Sequence, residues 1–143
     1  MTGSARGDAL TAPRLEALLR LRTAVFVVEQ QCPYQEVDGH DTRPGTWHAW
    51  IGEPEVLACL RVLTEPDGTR RIGRVCTSPA GRGQGLATRL MTAALAEIGP
   101  APAVLDAQTA ARRFYERFGF AATGPEFDED GIPHVRMARF MSL

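Results

Sequence analysis

Three glycines within five residues, Gly81, Gly83 and Gly85, carry the strongest chemical signal in this chain. They sit in Gly81-Arg82-Gly83-Gln84-Gly85-Leu86-Ala87, after a short apolar run and directly before a segment of helical periodicity. The stretch leaves a row of backbone amides almost free of side chains, and the helix that follows points its positive end back at them. A turn of this kind cradles a phosphate or pyrophosphate. A plain tight turn would carry the same glycines, so the surrounding residues have to decide. No Gly-Lys-Ser/Thr ending is present, which removes the lysine and the magnesium-binding hydroxyl of a P-loop. Asp106, about 20 residues beyond Gly85, has the spacing of a ribose ligand in a dinucleotide fold. Against that reading, the chain before the turn is patterned as an antiparallel meander, and too little chain follows it for a doubly wound sheet.

Length and composition bound what can hold this turn. The chain has 143 residues, enough for one domain with a sizeable core. Its 17 acidic residues nearly match its 16 arginines, and the net charge of −1 offers no basic face for nucleic acid. No segment approaches the roughly 20 apolar residues of a membrane helix, and Met1 to Leu10 holds no apolar stretch of signal length. Cys32, Cys59 and Cys76 make an odd count without a metal-type pair, which predicts a reducing, cytoplasmic setting with the cysteines as core filler. No metal is expected: His48 and His134, with Asp38, His40 and Asp41, lack the spacing of a ligand set.

The order of elements follows from periodicity and breakers. Residues 1–10 are glycine-punctuated and read as a flexible tail or a degenerate first strand, with one domain over 11–143. Leu15, Leu18, Leu19, Arg22, Val25 and Phe26 recur at helical spacing behind Pro13. They predict a helix to about Glu29 whose apolar face has one polar interruption. A polar loop runs from Pro33 to Gly45. Strands are predicted over Thr46 to Gly52, Val56 to Leu63 and Arg71 to Thr77. A helix from Gly85 to Ile98 buries Leu86, Leu90, Ala94 and Ile98 and stops at Gly99-Pro100. Ala103 to Leu105 is a short central strand, Thr109 to Phe118 a helix, and strands near Phe120 to Thr123 and His134 to Phe140 flank the Asp128 to Gly131 turn. This is a mixed α/β chain: a mostly antiparallel sheet with helices on its faces.

On these residues the chain resembles the GNAT superfamily of N-acetyltransferases, and within it the ElaA-like branch. The superfamily's Arg/Gln-x-x-Gly-x-Gly/Ala motif finds Arg82, Gly85 and Ala87, and its second signature finds Gln108, Ala111, Tyr115 and Gly119-Phe120. Glutamine stands at 108 where many relatives carry asparagine. The branch is marked by Leu21 to Gln30, Cys32-Pro33-Tyr34, Ile72-Gly73-Arg74-Val75 and Asp130-Gly131-Ile132-Pro133-His134. Relatives begin with a first strand that Met1 to Leu10 does not obviously supply. Either that strand is degenerate or the chain is shortened there.

The resemblance implies acetyl-CoA as acyl donor and a small-molecule or peptide amine as acceptor, joined by direct attack in a ternary complex. The amides of Arg82, Gly83, Gln84, Gly85, Leu86 and Ala87 would take the pyrophosphate. Val75, Cys76 and Thr77 would flank the pantetheine arm, and Gln108 and Arg112 complete the expected donor site. It also makes a homodimer an expectation. Two rivals stay open: a non-catalytic coenzyme A-binding module, and another acyltransferase of the same fold. Homoserine lactone synthases, the example of the latter, are longer, and this chain leaves little room for a fatty-acyl tunnel.

Acetyl transfer to an amine poses two proton problems. With a lysine-like pKa of about 10.4, only roughly one amine in 2,500 is neutral at pH 7, a cost of about 4.6 kcal/mol. The departing thiolate needs a proton, and the family pattern assigns that role to Tyr115. Many relatives carry a basic glutamate on the fourth strand; Gly73 to Thr77 offers none. Glu29, which closes the first helix, is the expected base. Glu36, Asp38, His48, Arg61, Arg74, Asp130 and His134 are expected on the acceptor side, where Arg61 and Arg74 either bind an acceptor carboxylate or pair with the loop acids. Glu36, Asp38, Asp41, Glu126, Asp128, Glu129 and Asp130, with Glu29, predict an acidic mouth that favours a cationic amine.

Overall fold

A computed structural model describes residues 2–140. Its β-meander follows the alternation of the sequence. Strand β2 (Trp47–Ile51) pairs antiparallel with β3 (Ala58–Thr64), and β3 with β4 (Arg70–Thr77). Ala49, Ile51, Leu60, Val62 and Ile72 point to one face, where helix α2 (Leu86–Ile98) lays down Leu90, Met91, Ala94 and Ile98. The opposite face carries Trp50 and Cys59, covered by Leu18 and Leu21 of helix α1 (Ala12–Arg22) and by Val25 just beyond it. Each fully buried leucine contributes about 1.5–3 kcal/mol. Thr11 caps α1 by accepting from the Arg14 amide, and Gly99, at φ +63°, ends α2.

Of the two expectations for the start of the chain, a loose tail or a first strand, the structure has the strand. Thr2–Arg6 forms β1, an edge strand antiparallel to β2, with Thr2 opposite Ile51 and Arg6 opposite Trp47. The glycines that argued for a loose start are what permit the pairing. A Cβ on Gly3 would lie 2.5 Å from the Trp50 indole, and one on Gly7 would strike the carbonyls of Asp41 and Arg43. Here glycine marks a close approach rather than a mobile segment.

The first helix differs from expectation. After Arg22 it widens over Thr23–Glu29 into a π-turn, with Gln30 N–H donating to Val25 O at 3.1 Å and Cys32 N–H to Val27 O at 3.2 Å. Thr23, Val25, Val27 and Val28 are β-branched and crowd an ordinary helical turn.

The decisive feature lies between β4 and β5 (Ala103–Gln108). They run parallel and pair at Arg70–Ala103 and Arg71–Val104. Beyond those residues, β5 pairs on its other side with β8 (Ile132–Arg139) as far as Gln108–His134. The sheet therefore splits. At the split, β4 bulges: Arg61 faces Gly73, Cys59 faces Cys76, and Arg74 adopts φ +54°. A left-handed arginine inside a strand is strained, and the bulge re-aims the residues beyond it. Helix α3 (Arg112–Glu116), entered through a tight turn at Thr109–Ala111, packs on the α2 side. Short β6 (Ala121–Ala122) and β7 (Phe127–Glu129) pair with β8. The β7–β8 hairpin turns through Asp130 and Gly131, both at positive φ (+54° and +81°), as a two-residue type I′ turn requires.

Candidate active site

The split opens a cleft of about 680 Å³. Val75, Cys76 and Thr77 of β4 form one wall, and Leu105, Gln108 and Tyr115 the other. The glycine turn meets the cleft through Arg82 and Ala87, which line it. Gly83 (φ +79°) and Gly85 (φ +73°) are left-handed, and a Cβ on either would enter open space. Glycine is thus required by backbone conformation, and the space beside it stays clear. Among the described residues, the amides from Gly83 to Ala87 donate to no other protein group, and Gly85 caps α2 without a side chain. Five consecutive donors at a helix N-terminus form a cradle for an anion. Leu86 contributes its amide alone, because its side chain is buried in the core.

Tyr115 is half-buried, edge-on to Phe114 with ring centroids 5.1 Å apart. Burial, with neighbouring Cys76 adding, pushes its hydroxyl up to about 12. It therefore keeps its proton at neutral pH. The Cys76 thiol lies 3.7 Å from that of Cys59; this contact and burial push it upward too, so it is no nucleophile. All three cysteines are free and buried.

Several expected site residues lie elsewhere. Glu29 is exposed outside the cleft and holds the Arg82 guanidinium with two bonds of 2.6 and 2.8 Å. That hydrogen bonding lowers its pKa, which makes it a poor base. Arg112 is exposed and reaches only Glu116, at 3.7 Å, away from the cleft wall. His48 is buried, with Nε2 2.9 Å from the Asp41 carbonyl, and burial lowers its pKa so that it stays neutral. It supports the loop and touches no cleft.

Glu36, Asp38 and Asp41 belong to a buried layer of ion pairs. Arg22 contacts Glu36 at 2.6 Å and Asp41 at 2.7 Å; Arg61 contacts Asp38 at 2.5 Å and Asp41 at 3.1 Å; Arg74 contacts Glu36 at 2.9 Å. Burial alone would raise Asp38 and Asp41. The arginine hydrogen bonds outweigh it and hold both carboxyls below the usual range. Burial likewise opposes the charge on Arg22, and its two carboxylate partners outweigh that. Three acids meet three arginines, so this wall carries no net charge, contrary to the acidic mouth expected from sequence. Arg61 and Arg74 do line the cleft, already paired with the loop acids. Arg22 was visible only as the polar interruption in an apolar helix face.

Asp130 and His134 line the far end of the cleft, together with Glu129 of the expected acidic mouth and with Cys32 and Tyr34, which sequence reasoning did not assign to the site. The loop holding Cys32 and Tyr34 is fastened there: the Cys32 thiol reaches the Asp130 carbonyl at 3.4 Å, and the Tyr34 hydroxyl donates to Glu36. Gln108 closes the gap by donating to Gln30 at 3.3 Å.

A split sheet beside an anion-binding turn suits a long phosphorylated donor, and the sequence profile described as an acetyltransferase (GNAT) domain matches residues 23–140. The chain belongs to the GNAT acetyltransferase family. Protein ElaA of Escherichia coli is 41% identical over 138 residues, covering 91% of this chain and 90% of ElaA. A UPF0039 protein of Mycobacterium tuberculosis is 49% identical over 135 residues, covering 91% and 86%. Among solved structures, an acyl-CoA N-acyltransferase from Pseudomonas aeruginosa superposes with a TM-score of 0.91 at 44% identity, covering 97% of this chain and 98% of that one. The GNAT fold extends to far more distant proteins: an aminoglycoside 6'-N-acetyltransferase complexed with coenzyme A has a TM-score of 0.72 at 12% identity. Among the described residues no helix is long and apolar enough to cross a membrane.

Proposed function

We propose that this protein transfers an acetyl group from acetyl-CoA to a primary amine by direct attack within a ternary complex. One observation carries the reading: Arg82 and Ala87, which bracket the free amides of the glycine turn, line the same cleft as Tyr115 and the β4 edge at Val75 to Thr77. In this reading the turn takes the donor's pyrophosphate, with the α2 N-terminus adding about 0.3–1 kcal/mol per charge. The pantetheine arm lies along β4 as an added strand would, and the acetyl oxygen faces the Val75 or Cys76 amide. The amine nitrogen bonds to the thioester carbon. The carbon–sulfur bond then breaks, and the thiolate takes the Tyr115 proton. A hydroxyl raised to about 12 still carries its proton when the thiolate forms beside it. The filled core behind the cleft, with Leu90, Met91 and Met137 wholly buried, favours a short acyl group over a long chain.

The acceptor belongs at the other end, between Arg61 and Arg74 on one side and Asp130 and His134 on the other. Thiol release from acetyl-CoA across polyamines, aminoglycosides, lysine peptides, arylalkylamines and amino acids, with mass spectrometry of the product, tests the reading. The expected outcome is a primary amine gaining one acetyl group at the rate of thiol release. Stoichiometric binding of acetyl-CoA without turnover of any amine would instead favour a binding module.

A further inference from the structure

We propose that His134 is the base that removes the proton from the attacking amine, an inference that rests on the amine-acylation reading above. Its tautomer is fixed by geometry. Nδ1 lies 2.7 Å from the Ile132 carbonyl, an oxygen that can only accept, so Nδ1 carries the hydrogen and Nε2 presents a lone pair. The ring is held in place by stacking on Phe127, with centroids 5.9 Å apart and planes 25° from parallel. Only 9% of the residue is exposed, yet it borders the same cleft as Tyr115.

The two residues reach that cleft from opposite faces of the sheet. Tyr115 packs with the α2-side core, as do Val135 and Met137 of β8. His134 precedes Val135 on the strand and so faces the other way, as does its cross-strand partner Gln108 next to Ala107. The acid stands on the donor side of the split and the base on the acceptor side.

The alternatives are spent elsewhere. Glu29 holds Arg82, the loop acids hold arginines, and Asp106 makes two bonds to Arg136, at 2.8 and 3.2 Å. Tyr34 donates to Glu36, and burial, followed by that bond, raises its hydroxyl pKa. Glu129 and Asp130 are exposed at the rim. The charged or titratable groups around the imidazole are Glu129 of β7, whose Oε2 is 3.6 Å from Nε2, Asp130 and Asp128 of the hairpin, Cys32 from the loop, and Asp106 and Arg136 further along β5 and β8. Glu129 stabilises the imidazolium once it forms.

Proton balance closes. The neutral amine attacks, the C–N bond forms, and the nitrogen's surplus proton passes to His134 Nε2. The C–S bond breaks, the thiolate takes the Tyr115 proton, and the imidazolium returns its proton through water to the tyrosinate. Amine and acetyl-CoA become amide and coenzyme A with no net change in protons.

The test is the pH dependence of kcat/KM, measured with the best amine of the panel. Wild type should show an acid limb where activity falls as His134 protonates. His134→Asn keeps a donor for the Ile132 carbonyl and removes the lone pair. It should lower kcat about 100-fold or more, remove the acid limb, and leave thermal stabilisation by acetyl-CoA intact. Glu129→Gln, which leaves the imidazole in place, should keep the limb. A limb that persists in folded His134→Asn, or one that vanishes in Glu129→Gln, overturns the proposal. Absence of turnover by wild type with every amine overturns the underlying reading instead, so the two failures are distinguishable.

Discussion

Tyr115 and His134 border one cleft from opposite faces of a single sheet, which is possible only because β4 and β5 part after Arg71 and Val104. An intact sheet would separate them by a layer of backbone. In the proposed reaction the split lets a protonated hydroxyl and an imidazole lone pair address one reacting carbon from two sides. On that reading donor and acceptor enter by different routes and meet at the β4 bulge, where Arg74 is left-handed.

Gly85→Glu tests the anion cradle. The substitution puts a carboxylate where a pyrophosphate should lie and forces a side chain onto φ +73°. Wild type should gain about 2.7 kcal/mol of stability when acetyl-CoA is present at 100 times its Kd. The folded variant should gain almost none in a thermal-shift titration. Equal stabilisation of both proteins would remove the glycine turn from donor binding.

Tyr115→Phe keeps the ring contacts with Phe114 and Phe120 and removes only the proton. kcat should fall about 10²–10⁴-fold, with acetyl-CoA affinity changed far less. The sign of the pH effect follows from the raised pKa. The acid works while protonated, so wild-type activity should persist until pH climbs toward about 12. A Tyr115→Phe rate equal to wild type would exclude the hydroxyl from the reaction.

Local pattern made much of this legible. The α2 stripe of Leu86, Leu90, Ala94 and Ile98 and the glycines before it are read within one stretch of chain, and both are found. Tyr115, Cys76 and Asp130 were likewise expected at the site and do line the cleft. What sequence hid were partners far apart along the chain. Arg74 meets Glu36 across 38 positions, and Cys32 meets the Asp130 carbonyl across 98. Composition counts Glu36, Asp38 and Asp41 as an acidic cluster; only the fold brings Arg22, Arg61 and Arg74 to them. Gly3 misled in the same way, since its reason, the Trp50 ring, lies 47 residues along the chain. The β4 bulge leaves no trace in alternation because Gly73 and Arg74 fit either face.

Glu29→Gln separates a surface pair from a catalytic role. Its carboxylate is spent on Arg82, outside the cleft. Because exposed pairs contribute little, kcat should stay within about twofold of wild type. Freed from Glu29, Arg82 becomes available to an anionic donor, so the KM for acetyl-CoA should stay level or fall. Steady-state kinetics at fixed amine decide this, and a loss of kcat beyond tenfold would restore Glu29 as the base.

The buried ion layer predicts how the fold responds to acid. Asp38 and Asp41 have lowered pKa values in the folded state, so the unfolded chain binds protons more readily. Their contribution is complete above the ordinary carboxylate range, about pH 4, and is lost progressively below it. His48 adds a step of the same sign at higher pH. Its folded pKa is lowered by burial, so stability already declines as pH falls through the ordinary imidazole range, about 6.5. Thermal melts should therefore show Tm falling gently below about pH 6.5 and steeply below about pH 4. Arg22→Leu should remove much of the steep part at the cost of the fold itself, because Glu36 and Asp41 would each lose a buried partner. Breaking such a layer costs about 3–5 kcal/mol, or roughly 10 °C in a domain of this size. A variant that melts within 2 °C of wild type at pH 7, roughly half a kcal/mol or less, would mean that water enters the layer and replaces the guanidinium.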